Sequence, residues 1–141
     1  MEVKNNGTAT VTVKFGSTAK TDKYTVTVKA DNTVLLTDTF EVLPKTASTT
    51  APNFTGTVTG DTTKVKDITT SMFSPADASY TITSLVITVD GVELVSGSDL
   101  LYVIPAGSTV TADVTVTAAD NYAFADGAST HVFEDVSITV S

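Results

Sequence analysis

The sequence predicts an antiparallel all-β fold, a β-sandwich preceded by a three-stranded meander. Three observations carry that expectation. Thr (29) and Val (20) fill more than a third of the 141 residues. Both are β-branched, stiff at χ1 and suited to a pleated, half-buried surface. Apolar–polar alternation recurs along the chain between turn signals, whereas no window carries a 3.6-residue apolar period with helix caps.

The meander occupies residues 1–43, a subdomain expected to anchor or pack. In 10–15, Val11, Val13 and Phe15 alternate with Thr10, Thr12 and Lys14. In 24–29, Tyr24, Val26 and Val28 alternate with Thr25, Thr27 and Lys29, and in 36–42 Leu36, Phe40 and Val42 share a face that Asp38 interrupts. Asp31-Asn32 supplies the turn between the second and third strands. Residues 44–56, with two Pro and a Thr cluster, read as a linker or crossing loop. A weak strand at 57–65 and an aperiodic stretch at 67–76 follow, the latter ended by Pro75.

The strongest local signal is LVITVDGVELV at 85–95. Asp90-Gly91 suits a type I′ turn, in which both central residues need positive φ. That turn sets Val89 opposite Val92 and Ile87 opposite Leu94 on one apolar face, with Thr88 and Glu93 on the wet one. Tyr80 and Ile82 have the opposite parity to Leu85, so a bulge is expected near Ser84. Residues 100–104, LLYVI, read as a nearly all-apolar strand buried on both faces or at an interface. In 109–117, Val110, Ala112, Val114 and Val116 point in. In 131–140, Val132, Val136, Ile138 and Val140 share one face.

The segment VTVTAADNYAFADG (114–127) resembles the strand–corner–strand segment of immunoglobulin-like modules found in phage virion proteins and bacterial surface proteins. Tyr122 follows Asp120 by two residues and precedes Phe124 by two, as in a tyrosine corner, with Phe124 where antibody domains place their second Cys. The resemblance covers about residues 80–141. It implies an immunoglobulin-like sandwich at 57–141, with Tyr122 as a structural residue. The chain departs from antibody domains in having neither the disulfide nor the core Trp.

Charge is divided along the chain. All eight Lys lie between Lys4 and Lys66, and there is no Arg. Against six acids they give residues 1–66 a net +2, while residues 67–141 hold ten acids and no Lys, a net −10. Patches of opposite sign suit contact between subunits. The lysine side of the meander (Lys14, Lys23, Lys29) and the apolar Leu100, Leu101 and Tyr102 are therefore the expected interface residues. A net charge of −8 without Arg argues against nucleic acid. The N-terminus lacks the apolar stretch of a signal peptide. Either the chain acts without being secreted as such, or it is a piece of a larger secreted protein. The longest apolar run, about 100–106, falls short of the roughly 20 residues of a membrane span.

No motif supplies catalysis in context. Ser17-Thr18-Ala19-Lys20 matches Ser-x-x-Lys but lacks the helix start and companion motifs of a serine acyl-enzyme. Leu43-Pro44-Lys45-Thr46-Ala47 is similar to a sortase signal but has no apolar stretch and basic tail after it. His131, the sole His, stands at a polar position with no Cys or second His as co-ligand. Asp120, Asn121 and Asp126 are weak calcium candidates without EF-hand spacing, and they are also the residues that corners favour. No cofactor and no catalytic residue is expected.

The expectation is a non-enzymatic structural protein of a virus or phage particle, a capsid decoration or fibre-type module. It would contact other protein subunits and recur in an assembly or homo-oligomer. The alternative is an immunoglobulin-like module of a secreted bacterial surface-layer or adhesin protein, located outside the cell or at its surface.

Overall fold

Val, Thr and Ile at alternate positions give extended backbone a reason to pair, and a computed structural model shows where it does. The structure describes residues 10–14 and 20–141. The chain divides into two compact units, Met1–Pro44 and Lys45–Ser141, and both are built from β-structure without a helix longer than a 3-10 turn among the described residues.

The first unit is an antiparallel hairpin, β1 (Asp22–Ala30) with β2 (Thr33–Val42). Its turn places Asp31 at φ 51°, a left-handed conformation that Asp tolerates. Tyr24 faces Phe40, Val26 faces Asp38 and Val28 faces Leu36, so the alternation expected from sequence holds on both strands. The register shifts between Val28 and Lys29, which leaves Leu35 without an opposite residue. The first strand expected at 10–15 is not assigned. Residues 10–14 carry no strand, and Phe15 lies outside the described residues. Val11 and Val13 nonetheless line a shallow cleft of about 140 Å³ with Val26, Val28, Leu36 and Phe40.

The second unit begins immediately after Pro44. Residues 45–56 are packed against it: β3 (Lys45–Thr46) pairs in parallel with β9 (Tyr122–Ala123), and β4 (Asn53–Phe54) pairs with β5 (Phe73–Ser74). The main sheet has four antiparallel strands: β6 (Tyr80–Val89), β7 (Val92–Leu94), β8 (Val110–Ala118) and β10 (Thr130–Ile138). Their order is β10-β8-β6-β7. On its inner face Val110, Ala112, Val114 and Val116 of β8 are all buried, flanked by Tyr80, Ile87 and Val89 of β6 and Phe133 and Ile138 of β10. The cover is not a second sheet of comparable extent. It is made of Ala47, Val58, Val65, Ile68, Phe73, Ile104 and Phe124, carried on short pairs, 3-10 turns (Val65–Asp67, Thr70–Met72) and loops.

The Asp90-Gly91 hairpin forms as expected. Val89 pairs with Val92, Thr88 with Glu93 and Ile87 with Leu94, and φ is 50° at Asp90 and 83° at Gly91. The bulge expected near Ser84 lies between Ile82 and Ser84. The weak strand expected at 57–65 is reduced to a bridge from Val58 to Val140 and one from Lys64 to Val103.

Two expectations are overturned. Residues 100–104 are not a buried strand. Gly97–Leu101 is a 3-10 turn, and Leu100 to Val103 are exposed, whereas Ile104 is fully buried. In β10 the register shifts between Phe133 and Val136, with Asp135 at φ 53°. This bulge reverses the parity, so Phe133 points in and Val132 is exposed.

Gly91 is needed for the β6–β7 turn although a Cβ there would meet no atom. Gly91→Val forces a β-branched residue into positive φ, and thermal or denaturant unfolding should show a loss of about 1–3 kcal/mol.

Candidate functional site

An irregular cover must satisfy its buried backbone groups one at a time, and two anchors do this for the second unit. The first is Tyr80, 1 % exposed. Its hydroxyl accepts the Ala76 amide at 3.0 Å and donates to the Thr50 carbonyl at 2.9 Å. A tyrosine hydroxyl bonding backbone a few residues upstream is the device of a tyrosine corner, expected at Tyr122 and built at Tyr80. Tyr122 is half-buried, pairs through its backbone in β9, and lies 5.8 Å beneath the Lys45 ammonium.

The second anchor is a polar chain at the start of β6. The Ser48 amide donates to Ser79 Oγ at 2.8 Å, and the Ser79 amide donates to Asp77 Oδ1 at 2.8 Å. The Ser79 hydroxyl first, and its amide second, hold the Asp77 carboxyl below its ordinary value of 3.8. Sequence reasoning missed both anchors. The available signal for Tyr80 was a lone aromatic at a strand start, preceded by Pro75 and Asp77.

Asp126 Oδ1 accepts the Ala128 amide at 2.9 Å, and Asn121 stands at φ 66° with its carbonyl accepting the Lys45 amide. Among the described residues no three His, Cys, Asp or Glu side chains gather as a metal site. His131 is exposed at its edge but stacks at 5.2 Å from Phe124 and 4.7 Å from Phe133. The bulge that turns Phe133 inward also brings His131 to the inner face, opposite Val116. Ser17 lies outside the described residues, and the Lys20 carbonyl accepts the Tyr24 hydroxyl.

The chemistry that the second unit presents is apolar surface. Leu101 is 57 % and Tyr102 44 % exposed, and Val103 lies beside them. Tyr102 also lines a cleft of about 240 Å³ with Val89, Asp90, Val92 and Leu94. This surface is held firmly from beneath. The Val65 amide donates to the Tyr102 carbonyl, the Ile104 amide to that of Thr63, and the Asp61 amide to that of Ile104. Asp61 Oδ1 accepts the Ala106 amide, and a Cβ on Gly60 would stand 2.4 Å from Ala106 Cα. At the turn the Thr109 amide donates to Asp90 Oδ1 at 2.8 Å. Exposed apolar side chains on a fixed backbone are the composition of an interface core.

The first unit presents a second apolar surface. No described residue in it is buried: Leu36 is 54 % and Phe40 38 % exposed. Lys14, Lys23 and Lys29 are exposed too, and Lys23 stands opposite Glu41 across the hairpin. The charge division also changes when the chain is cut at Pro44. The first unit has five Lys and five acids and is neutral; the second has three Lys and eleven acids and carries the whole −8. The lysine side of the hairpin is thus a local feature and not the face of a cationic unit.

Comparison of the chain with family models, curated proteins and solved structures gives no match.

The Asp77 network carries a pH dependence. Because folding lowers this pKa, its stabilisation is fully present above the ordinary value of 3.8 and is lost as pH falls through the lower folded value. Stability measured from pH 6 down to about pH 2 should fall less steeply in Asp77→Asn than in the unaltered protein.

Proposed function

We propose that the protein is a non-enzymatic structural subunit of a virus or phage particle, a capsid decoration or fibre-type module that acts through protein–protein contacts. The observation that supports this reading is the pair of exposed apolar surfaces, on the hairpin and at Leu101–Val103. A two-stranded hairpin is marginal alone in water and needs its apolar face covered. A surface this apolar on a fixed backbone is suited to another protein.

The immunoglobulin-like reading of the second unit rests on its antiparallel main sheet, in the order β10-β8-β6-β7, with a cover that is not a second sheet of comparable extent. Its tyrosine-anchored entry into β6 supports the same reading. Such modules also suit a bacterial surface-layer or adhesin protein, and the sheet and its corner support that second reading equally. In either setting Lys14, Lys23 and Lys29 would approach acids of a neighbouring subunit at the rim of the contact.

Rim charges are screened over about 8–10 Å at physiological salt, so they tune attachment without carrying it. If the reading is right, quantitative proteomics of gradient-purified particles recovers the chain in fixed ratio to the major shell protein. Washing from about 0.1 M to 1 M salt should then release part of it. Recovery only with the cell-surface fraction supports the second reading, and recovery with neither overturns both.

A further inference from the structure

Asp38 breaks the apolar face of the hairpin at its centre. It stands opposite Val26 and lines the same cleft as Val28, Leu36 and Phe40. Its Oδ1 accepts the adjacent Thr39 amide at 2.8 Å. Any partner that covers this face removes water from a carboxylate, which is costly unless a cation or donors replace the water. Two copies meeting face to face across a two-fold axis would bring Asp38 against Asp38, so that arrangement is disfavoured.

The chain carries the complementary surface. Lys64 forms an antiparallel bridge with Val103, which places the two side chains on the same side of that pair. Lys64 therefore lies beside the exposed Val103, in the segment that also exposes Leu101 and Tyr102. Lys64 is half-buried, and its amide donates to Asp67 Oδ2 at 3.1 Å; of the other cations of the second unit, Lys45 lies over the Tyr122 ring and Lys66 pairs with Asp67 at 3.8 Å. In a unit of net charge −8, an apolar surface beside a cation is a specific match for an apolar surface that holds one carboxylate.

We infer that the hairpin face of one copy docks on the Leu101–Val103 surface of a second copy, with Asp38 meeting Lys64. The contact is heterologous, so a pair of copies keeps one hairpin face and one Leu101–Val103 surface for the next. Repetition gives a ring if the rotation closes and a filament if it does not. This deepens the structural-subunit reading and rests on it for its biological setting, but the contact belongs to the isolated protein.

Sedimentation velocity of the purified full chain over a concentration series tests it. Leu36 and Leu101 are exposed, so Leu36→Asp and Leu101→Asp should keep the fold, checked by circular dichroism. The unaltered protein should form oligomers whose share rises with concentration, one closed species for a ring or a series for a filament, and each variant alone should be monomeric. Their equimolar mixture retains one intact contact and should give a species of two chains and none larger. Asp38→Lys and Lys64→Asp should each weaken association by about tenfold or more, and mixing these two should restore it, because every contact then joins opposite charges. The charge pair carries the test if an Asp variant misfolds. An unaltered protein that stays monomeric to about 1 mM, a mixture that stays monomeric, or variants that still associate overturns the proposal. Association in solution by a protein absent from particles would sink the functional reading alone. A particle component that never self-associates would sink this contact alone.

Discussion

A single four-stranded sheet has one face to bury, and here most of what buries it is not another sheet. That constraint organises the second unit. Strands satisfy their backbone groups through ladders, but a cover of loops and 3-10 turns must find a partner for each buried amide and carbonyl separately. Tyr80 and Ser79 serve this purpose from the start of β6: their side chains reach residues 48–50, some thirty positions earlier in the chain. The loop at 59–63 does the same for 104–106, with Gly60 set against Ala106 because no side chain fits there. No buried side-chain polar atom among the described residues lacks a partner. The apolar surface at Leu101–Val103 is a by-product of the same design, because the backbone is pinned inward by hydrogen bonds and Ile104 while its neighbours point out.

Much of the sheet was legible because its signals are local. Asp-Gly fixes a turn whose register then assigns four side chains, and alternation over nine residues leaves β8 a single way to face the core. The bulge at Ser84 could be read because two runs of opposite parity flank it. The bulge in β10 could not, because Glu134-Asp135 interrupts no visible pattern: Val132, Val136 and Ile138 look in phase until Asp135 takes a left-handed conformation. LLYVI misled for a different reason. A short apolar run does not state its own backbone, and Gly97 with Ser96 before it let the chain turn where a strand was expected.

The candidate surfaces were half legible. Leu100, Leu101 and Tyr102 stood out as an apolar run expected to be buried on both faces or at an interface, and the structure leaves them exposed. The lysines stood out through a charge division that depended on where the chain was cut. Lys45, Lys64 and Lys66 belong to the second unit, and the contrast of a basic and an acidic half becomes one of a neutral first unit and an acidic second unit. Asp38 was visible as an interruption, but its position against Val26 required the register. Lys64 was invisible as a neighbour of Val103, since 39 residues separate them and only a bridge joins them.

The two edges of the main sheet bear on how the protein behaves when crowded. β10 carries Glu134, Asp135 and a left-handed bulge along its length, and β7 at the far edge is three residues long. Charge, local twist and brevity each spoil a template for backbone pairing. A chain rich in Thr and Val, displayed at high local density, would otherwise stack strand on strand into amyloid-like ribbons. Blunted edges leave side-chain faces, and not backbone ladders, as the surfaces open to a neighbouring molecule.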